Sequence, residues 1–101
     1  MKEYKTDLKT SSLKPGDGMI VNLDGDEVAV FNAGGRICAL SNTCCHRGGP
    51  LGEGILDGKV VTCPWHGWSY DVTTGKSVSH EGAEVSCYQV RVEGDDIYVT
   101  A

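Results

Sequence analysis

Paired turn residues recur along this chain, at Asp24-Gly25, Gly34-Gly35, Asp57-Gly58, Thr74-Gly75 and Gly94-Asp95, and they leave little uninterrupted sequence between them. Asp-Gly and Gly-Gly pairs let both central residues of a two-residue loop take positive φ, which matches the twist of a β-hairpin. The intervening runs fit strands. Met19 to Leu23, Glu27 to Phe31, Ile37 to Leu40, Lys59 to Thr62, Val85 to Val92 and Ile97 to Val99 are short and rich in β-branched or aromatic residues. In Tyr88-Gln89-Val90-Arg91-Val92 apolar and polar residues alternate, which predicts one buried and one wet face before the chain returns through Glu93-Gly94-Asp95-Asp96 into Ile97-Tyr98-Val99. No stretch suits a helix of more than two turns. The expectation is an all-β fold, an antiparallel sandwich or barrel-like arrangement.

The chain has 101 residues, with no repeat, no low-complexity tract and no Pro/Ser-rich linker, which predicts a single domain over 1–101. Fourteen acidic residues against nine basic ones give a net charge of −5, without any basic run. That balance argues against nucleic acid or an anionic membrane as partner, because both require clustered Lys and Arg. Neither a secretory signal after Met1-Lys2-Glu3-Tyr4 nor an 18-residue apolar window is present, so the expected location is cytoplasmic. Five cysteines, an odd number in a chain read as cytoplasmic, favour metal or thiol chemistry over a disulfide framework.

Two stretches break the strand rhythm, Asn42 to Gly54 and Thr62 to Tyr70, and both flank a hairpin that turns at Asp57-Gly58. The first contains Cys44-Cys45-His46-Arg47-Gly48-Gly49-Pro50-Leu51, and the second Cys63-Pro64-Trp65-His66-Gly67-Trp68. The hairpin would set the loops side by side, so that two Cys/His pairs converge. Such donors suit zinc or an iron–sulfur centre rather than the oxygen-seeking calcium and magnesium. Structural zinc sites commonly pair like ligands on one knuckle. Here both knuckles are mixed, Cys44-x-His46 and then, after sixteen intervening residues, Cys63-x2-His66. Mixed pairs suit a two-iron centre in which one iron takes a cysteine from each loop and the other a histidine from each loop.

On these residues the chain resembles the Rieske family of [2Fe-2S] proteins, whose pattern is Cys-x-His followed by Cys-x2-His. Cys44, His46, Cys63 and His66 match it position by position, and the surrounding loops look like those of its soluble, ferredoxin-type branch. The resemblance implies an antiparallel β-sandwich bearing a small cluster-binding subdomain at about 42–70, with one Rieske-type [2Fe-2S] cluster per chain. It also implies a non-catalytic carrier, monomeric when free, that takes one electron from an NAD(P)H-dependent flavin reductase and passes it to a terminal oxygenase through His46 and His66. An alternative is the small subunit of an NAD(P)H-dependent nitrite reductase, bound to that enzyme's large subunit; a more distant one is a zinc-stabilised interaction module. Imidazole ligation further implies a potential that varies with pH in the alkaline range.

Three departures from the family pattern matter. High-potential members join the loops by a disulfide, but the corresponding positions are Gly49 and Trp65. Their sulfur-bonding serine corresponds to Trp68, which implies a potential near the lower end of the Rieske range of about −150 to +300 mV. The third, usually proline-containing, cover segment is Ser77-Val78-Ser79-His80-Glu81-Gly82-Ala83, with no proline.

The remaining candidates have plainer readings. Cys45 is expected to be a non-ligand thiol, and Cys38 and Cys87 small buried hydrophobes. His80 reads as a solvated loop residue and Arg47 as an exposed charge. Trp65 and Trp68 are expected either to exclude water from the site or to form an apolar rim for a partner.

Overall fold

The computed structural model describes residues 2–43, 49–65 and 67–101. Nine strands follow one another: β1 (Glu3–Lys9), β2 (Gly18–Leu23), β3 (Asp26–Ala33), β4 (Arg36–Ser41), β5 (Ile55–Asp57), β6 (Val60–Thr62), β7 (Ser69–Asp71), β8 (Cys87–Glu93) and β9 (Asp96–Thr100). They form a six-stranded sheet in the order β1-β9-β8-β4-β3-β2 and a three-stranded sheet in the order β5-β6-β7. All strand pairs are antiparallel. Short 3-10 turns at Thr10–Ser12 and Leu51–Glu53 are the helical elements among the described residues.

Turn chemistry sets this register. Asp24 and Gly25 take φ of 56° and 97°, and Gly34 and Gly35 take 65° and 103°, closing the β2–β3 and β3–β4 hairpins as their sequences predict. Two strands were not apparent in the sequence. β1 is rich in charge, yet Tyr4, Thr6 and Leu8 alternate toward the interior, and its position at a sheet edge tolerates the lysines and acids between them. β7 interrupts the stretch expected to be loop-like: Val61 pairs with Tyr70 and Thr62 with Ser69.

β3 and β4 separate two apolar layers. Ala29, Phe31, Cys38 and Leu40 pack with Leu51, Val61, Cys63, Tyr70, Val72 and Val85, whereas Val28, Val30 and Ala39 pack with Leu13, Leu23, Ile97 and Val99. Both faces of β3 are therefore covered, which explains why Val28-Ala29-Val30-Phe31 shows no apolar/polar alternation. Burying a side chain of the size of Phe31 or Leu40 stabilises the fold by roughly 1.5–3 kcal/mol. The alternating β8 is only half-covered in comparison: Tyr88 and Val90 are partly buried, and Val92 is exposed. No helix among the described residues is long and apolar enough to cross a membrane.

Candidate metal centre

Strand β4 leads into the first Cys/His loop, and the base of that loop is pinned on both sides. Thr43 and Pro50 form an antiparallel bridge. The Leu51 amide donates to the Asn42 carbonyl at 2.8 Å, and the Gly52 amide donates to Asn42 Oδ1 at 2.7 Å. Asn42 is buried, and its amide nitrogen reaches Glu27 Oε1 at 3.4 Å. Gly52 permits this approach: a β-carbon there would lie 2.3 Å from Ile20 Cγ1. The local sequence carries no signal for this role of Asn42, because its partners Gly52 and Glu27 are distant in sequence. Cys44, Cys45, His46, Arg47 and Gly48 lie outside the described residues, as does His66.

The β5–β6 hairpin sets the end of the first loop beside the start of the second. Ile55 pairs with Thr62, and a β-carbon on Gly54 would fall 2.3 Å from the Thr62 carbonyl oxygen. Beyond Thr62 the chain folds into a tight loop: the Cys63 amide donates to the Trp68 carbonyl at 2.8 Å, and the Gly67 amide donates back to the Cys63 carbonyl at 3.1 Å. Gly67 has φ of 75°, a conformation that side-chain-bearing residues rarely adopt. Cys63 itself is 3% exposed and belongs to the core between the sheets.

The loops meet at Gly49. A β-carbon at this buried position would stand 2.6 Å from Cys63 Sγ and 3.3 Å from Trp65 Cβ. Gly49 and Trp65, the pair corresponding to the missing disulfide, are thus packed together, and the staple is replaced by backbone against indole. The fit to a metal group rests on this cradle: a soft sulfur donor lies on a dry wall, with a side-chain-free backbone closing over it. Among the described residues no three His, Cys, Asp or Glu side chains gather into a competing site. Trp65 is 58% exposed and Trp68 is half-buried.

The proline-free segment is ordered by other means. Ser77 bridges to Tyr70, Lys76 bridges to Glu84, and the Ser77 amide donates to the Ala83 carbonyl at 2.8 Å. Its His80 ring stacks on Trp68, with centroids 3.7 Å apart and planes within 10°. Upstream, Asp71 Oδ1 accepts from the Thr73 amide at 2.8 Å and from the Thr73 hydroxyl, while Lys59 pairs with the same carboxylate at 3.5 Å. Partial burial alone would raise the Asp71 pKa, but the Thr73 bonds and Lys59 outweigh it and hold the carboxyl below its usual value.

Of the other thiols, Cys38 is buried as expected, but Cys87 is exposed. It stands opposite Leu40 at the start of β8, where the Thr73–Gly75 turn runs beside it without covering it; Sγ lies 3.6 Å from the Thr73 carbonyl. Desolvation pushes both thiols above the usual cysteine range, so neither is an activated nucleophile.

Comparison with known proteins agrees with this architecture. Residues 3–98 match the family described as Rieske [2Fe-2S] domain. The biphenyl dioxygenase ferredoxin subunit of Pseudomonas sp. strain KKS102 is 39% identical over 87 residues, 84% of this chain and 80% of the relative. Among solved structures, the complex of reduced oxygenase and oxidized ferredoxin in carbazole 1,9a-dioxygenase contains a chain with a TM-score of 0.87 and 32% identity, over 94% of this chain and 99% of that one. A Mycobacterium tuberculosis protein assigned as the small subunit of an NADH-dependent nitrite reductase has a TM-score of 0.86 at 26% identity, covering 98% and 96%. The sheet order, the two loops meeting at Gly49 and the match over nearly all of its length agree: this chain belongs to the Rieske [2Fe-2S] domain family and takes one Rieske-type cluster.

Proposed function

We propose that this chain is a one-electron carrier working between an NAD(P)H-dependent flavin reductase and a terminal oxygenase, without catalysis of its own. Cys44 and Cys63 would hold one iron, and His46 and His66 the other. Bound there, the cluster supplies reversible uptake of a single electron. The observation that carries the reading is the approach of Gly49 to Cys63 Sγ, which brings the first loop onto the ligand of the second. The dioxygenase ferredoxin relatives and the complex formed by the carbazole system's ferredoxin with its oxygenase support a terminal oxygenase as the acceptor.

The chain's own residues have separate tasks in this scheme. The Cys63–Gly67–Trp68 bonds fix the second loop, so little rearrangement is needed when charge arrives. Val61, Tyr70 and Leu51 keep water from the inner side of Cys63. Exposed Trp65 and Val78 offer apolar contact to an acceptor. We place the protein in the cytoplasm, as one domain and a monomer when free.

The test is spectroscopic, then functional. Anaerobically purified protein should be coloured, contain two iron and two sulfide per chain, and show the electron-spin signal of a mixed-ligand [2Fe-2S] centre on reduction. It should then be reduced by a flavin reductase with NAD(P)H and reoxidised by a dioxygenase. A colourless protein holding one zinc ion would overturn the reading. The likeness to the nitrite reductase subunit favours a second reading, which stable co-purification with a large reductase polypeptide would support.

A further inference from the structure

The dipeptide Trp68-Ser69 is bonded both to the Cys63 loop and to the 77–83 segment. On one side, the Trp68 carbonyl accepts from the Cys63 amide, which ties it to the ligand loop. On the other, Ser69 anchors the 77–83 segment: its amide donates to Ser79 Oγ at 3.0 Å, and its carbonyl accepts from the Val78 amide at 2.9 Å and from Ser77 Oγ at 2.9 Å. Ser77 Oγ in turn accepts from the amides of Ser79 and His80, at 3.2 and 3.0 Å. Ser79 Oγ lies within hydrogen-bond distance of His80 Nδ1, at 2.8 Å, and of Ser77 Oγ, at 3.4 Å. The ring so held lies flat on Trp68.

An exposed histidine on a half-buried tryptophan adds little to the core, yet the serine network spends five hydrogen bonds on setting the segment that carries it. We propose that His80 is a positioning residue for the metal centre: stacked on Trp68 and anchored by Ser79, it makes segment 77–83 the outer wall of the Cys63–Trp68 ligand loop and limits the access of water to it. This rests on the assignment of Cys63 and His66 as ligands. Water admitted at this wall favours the more highly charged, reduced state of the centre, so opening the wall raises the midpoint potential.

The experiment compares His80→Ala, His80→Phe and Ser79→Ala in the iron-loaded protein at one fixed pH. The expected result for His80→Ala is an upward shift in potential with iron and sulfide content unchanged. His80→Phe restores the ring and returns the potential toward wild type, whereas Ser79→Ala gives a smaller upward step. Amide exchange at Ser69, a readout that needs no electron transfer, quickens in His80→Ala and Ser79→Ala. A potential unmoved by His80→Ala, or a His80→Phe shifted as far as the alanine variant, overturns the proposal. If His80→Ala loads no iron, the absence of any shift in Ser79→Ala overturns it equally. Failure of the ligand assignment would be visible earlier, in the wild-type spectrum.

Discussion

Gly49 presses on Cys63 so closely that a β-carbon at position 49 would stand 2.6 Å from Sγ. Real β-carbons do not come that near, so one loop must yield if a side chain is added. The neighbouring Trp65 ring, with Cγ 3.1 Å from the same point, blocks escape on that side. Overpacking of this kind costs about 1–3 kcal/mol. We expect Gly49→Ala to lower the iron content per chain and to weaken the assembled centre. Iron and sulfide analysis beside a thermal unfolding curve checks it; full metal loading at the wild-type melting temperature would show that the loops do not meet as described.

Cysteines in this chain should separate sharply by role. Cys63→Ser removes the thiolate from the dry wall and is expected to abolish most cluster binding, with a loss of stability because metal binding and folding are linked. Cys87→Ser changes an exposed side chain whose Sγ lies 3.6 Å from the Thr73 carbonyl. It should retain wild-type iron and melt within about 0.5 kcal/mol of wild type. Equal iron in the two variants would refute the assignment of Cys63.

Much of this fold is legible in the sequence because turn chemistry is local. Asp24-Gly25 and Gly34-Gly35 specify their hairpins through φ alone, and the strands on either side follow. The four expected ligands were likewise visible as residue types at fixed spacings, although of these only Cys63 lies among the described residues. What was not legible depends on contacts distant in sequence. β1 becomes a strand by pairing with β9 at the other end of the chain, and β7 by pairing with β6. Asn42 gained its importance from the Gly52 amide, and His80 from Trp68; neither partner is implied by local sequence. Cys87 is exposed and not buried because strand alternation specifies which side a residue faces, not whether another layer covers that side.

Asn42 offers a test of the first loop that does not touch a ligand. Its carboxamide oxygen accepts the Gly52 amide inside the protein, so Asn42→Ala leaves that amide buried without its partner. The cost of such a group is about 1–3 kcal/mol, or a fall in melting temperature of roughly 4–8 °C per kcal/mol for a domain of this size. Since the same bond closes the base of the loop, cluster loss on warming should also begin earlier, followed by visible absorbance. Unchanged unfolding and unchanged bleaching would mean that the Thr43–Pro50 bridge and the Leu51–Asn42 backbone bond close the loop without the carboxamide.

Acid should find a weak point at Asp71. Its carboxyl is held below the usual value by Thr73 and Lys59 despite partial burial. A group whose folded pKa is depressed contributes its stabilisation above the unfolded value of about 3.9 and loses it as the pH falls through the folded one. Asp95, Asp96 and Glu3, which are held low by hydrogen bonds from Thr10, Lys9 and Arg91 respectively, act in the same direction. The protein should therefore lose stability progressively as the pH drops below about 4. Asp71→Asn keeps the shape of the side chain but not the charge, so at neutral pH it should cost about 1 kcal/mol. Below the folded pKa the wild-type carboxyl is protonated too, and that difference should shrink. Urea unfolding of both proteins from pH 7 down to pH 3 would reveal the convergence; a gap constant across that range would mean that Asp71 acts through its shape and not through its charge.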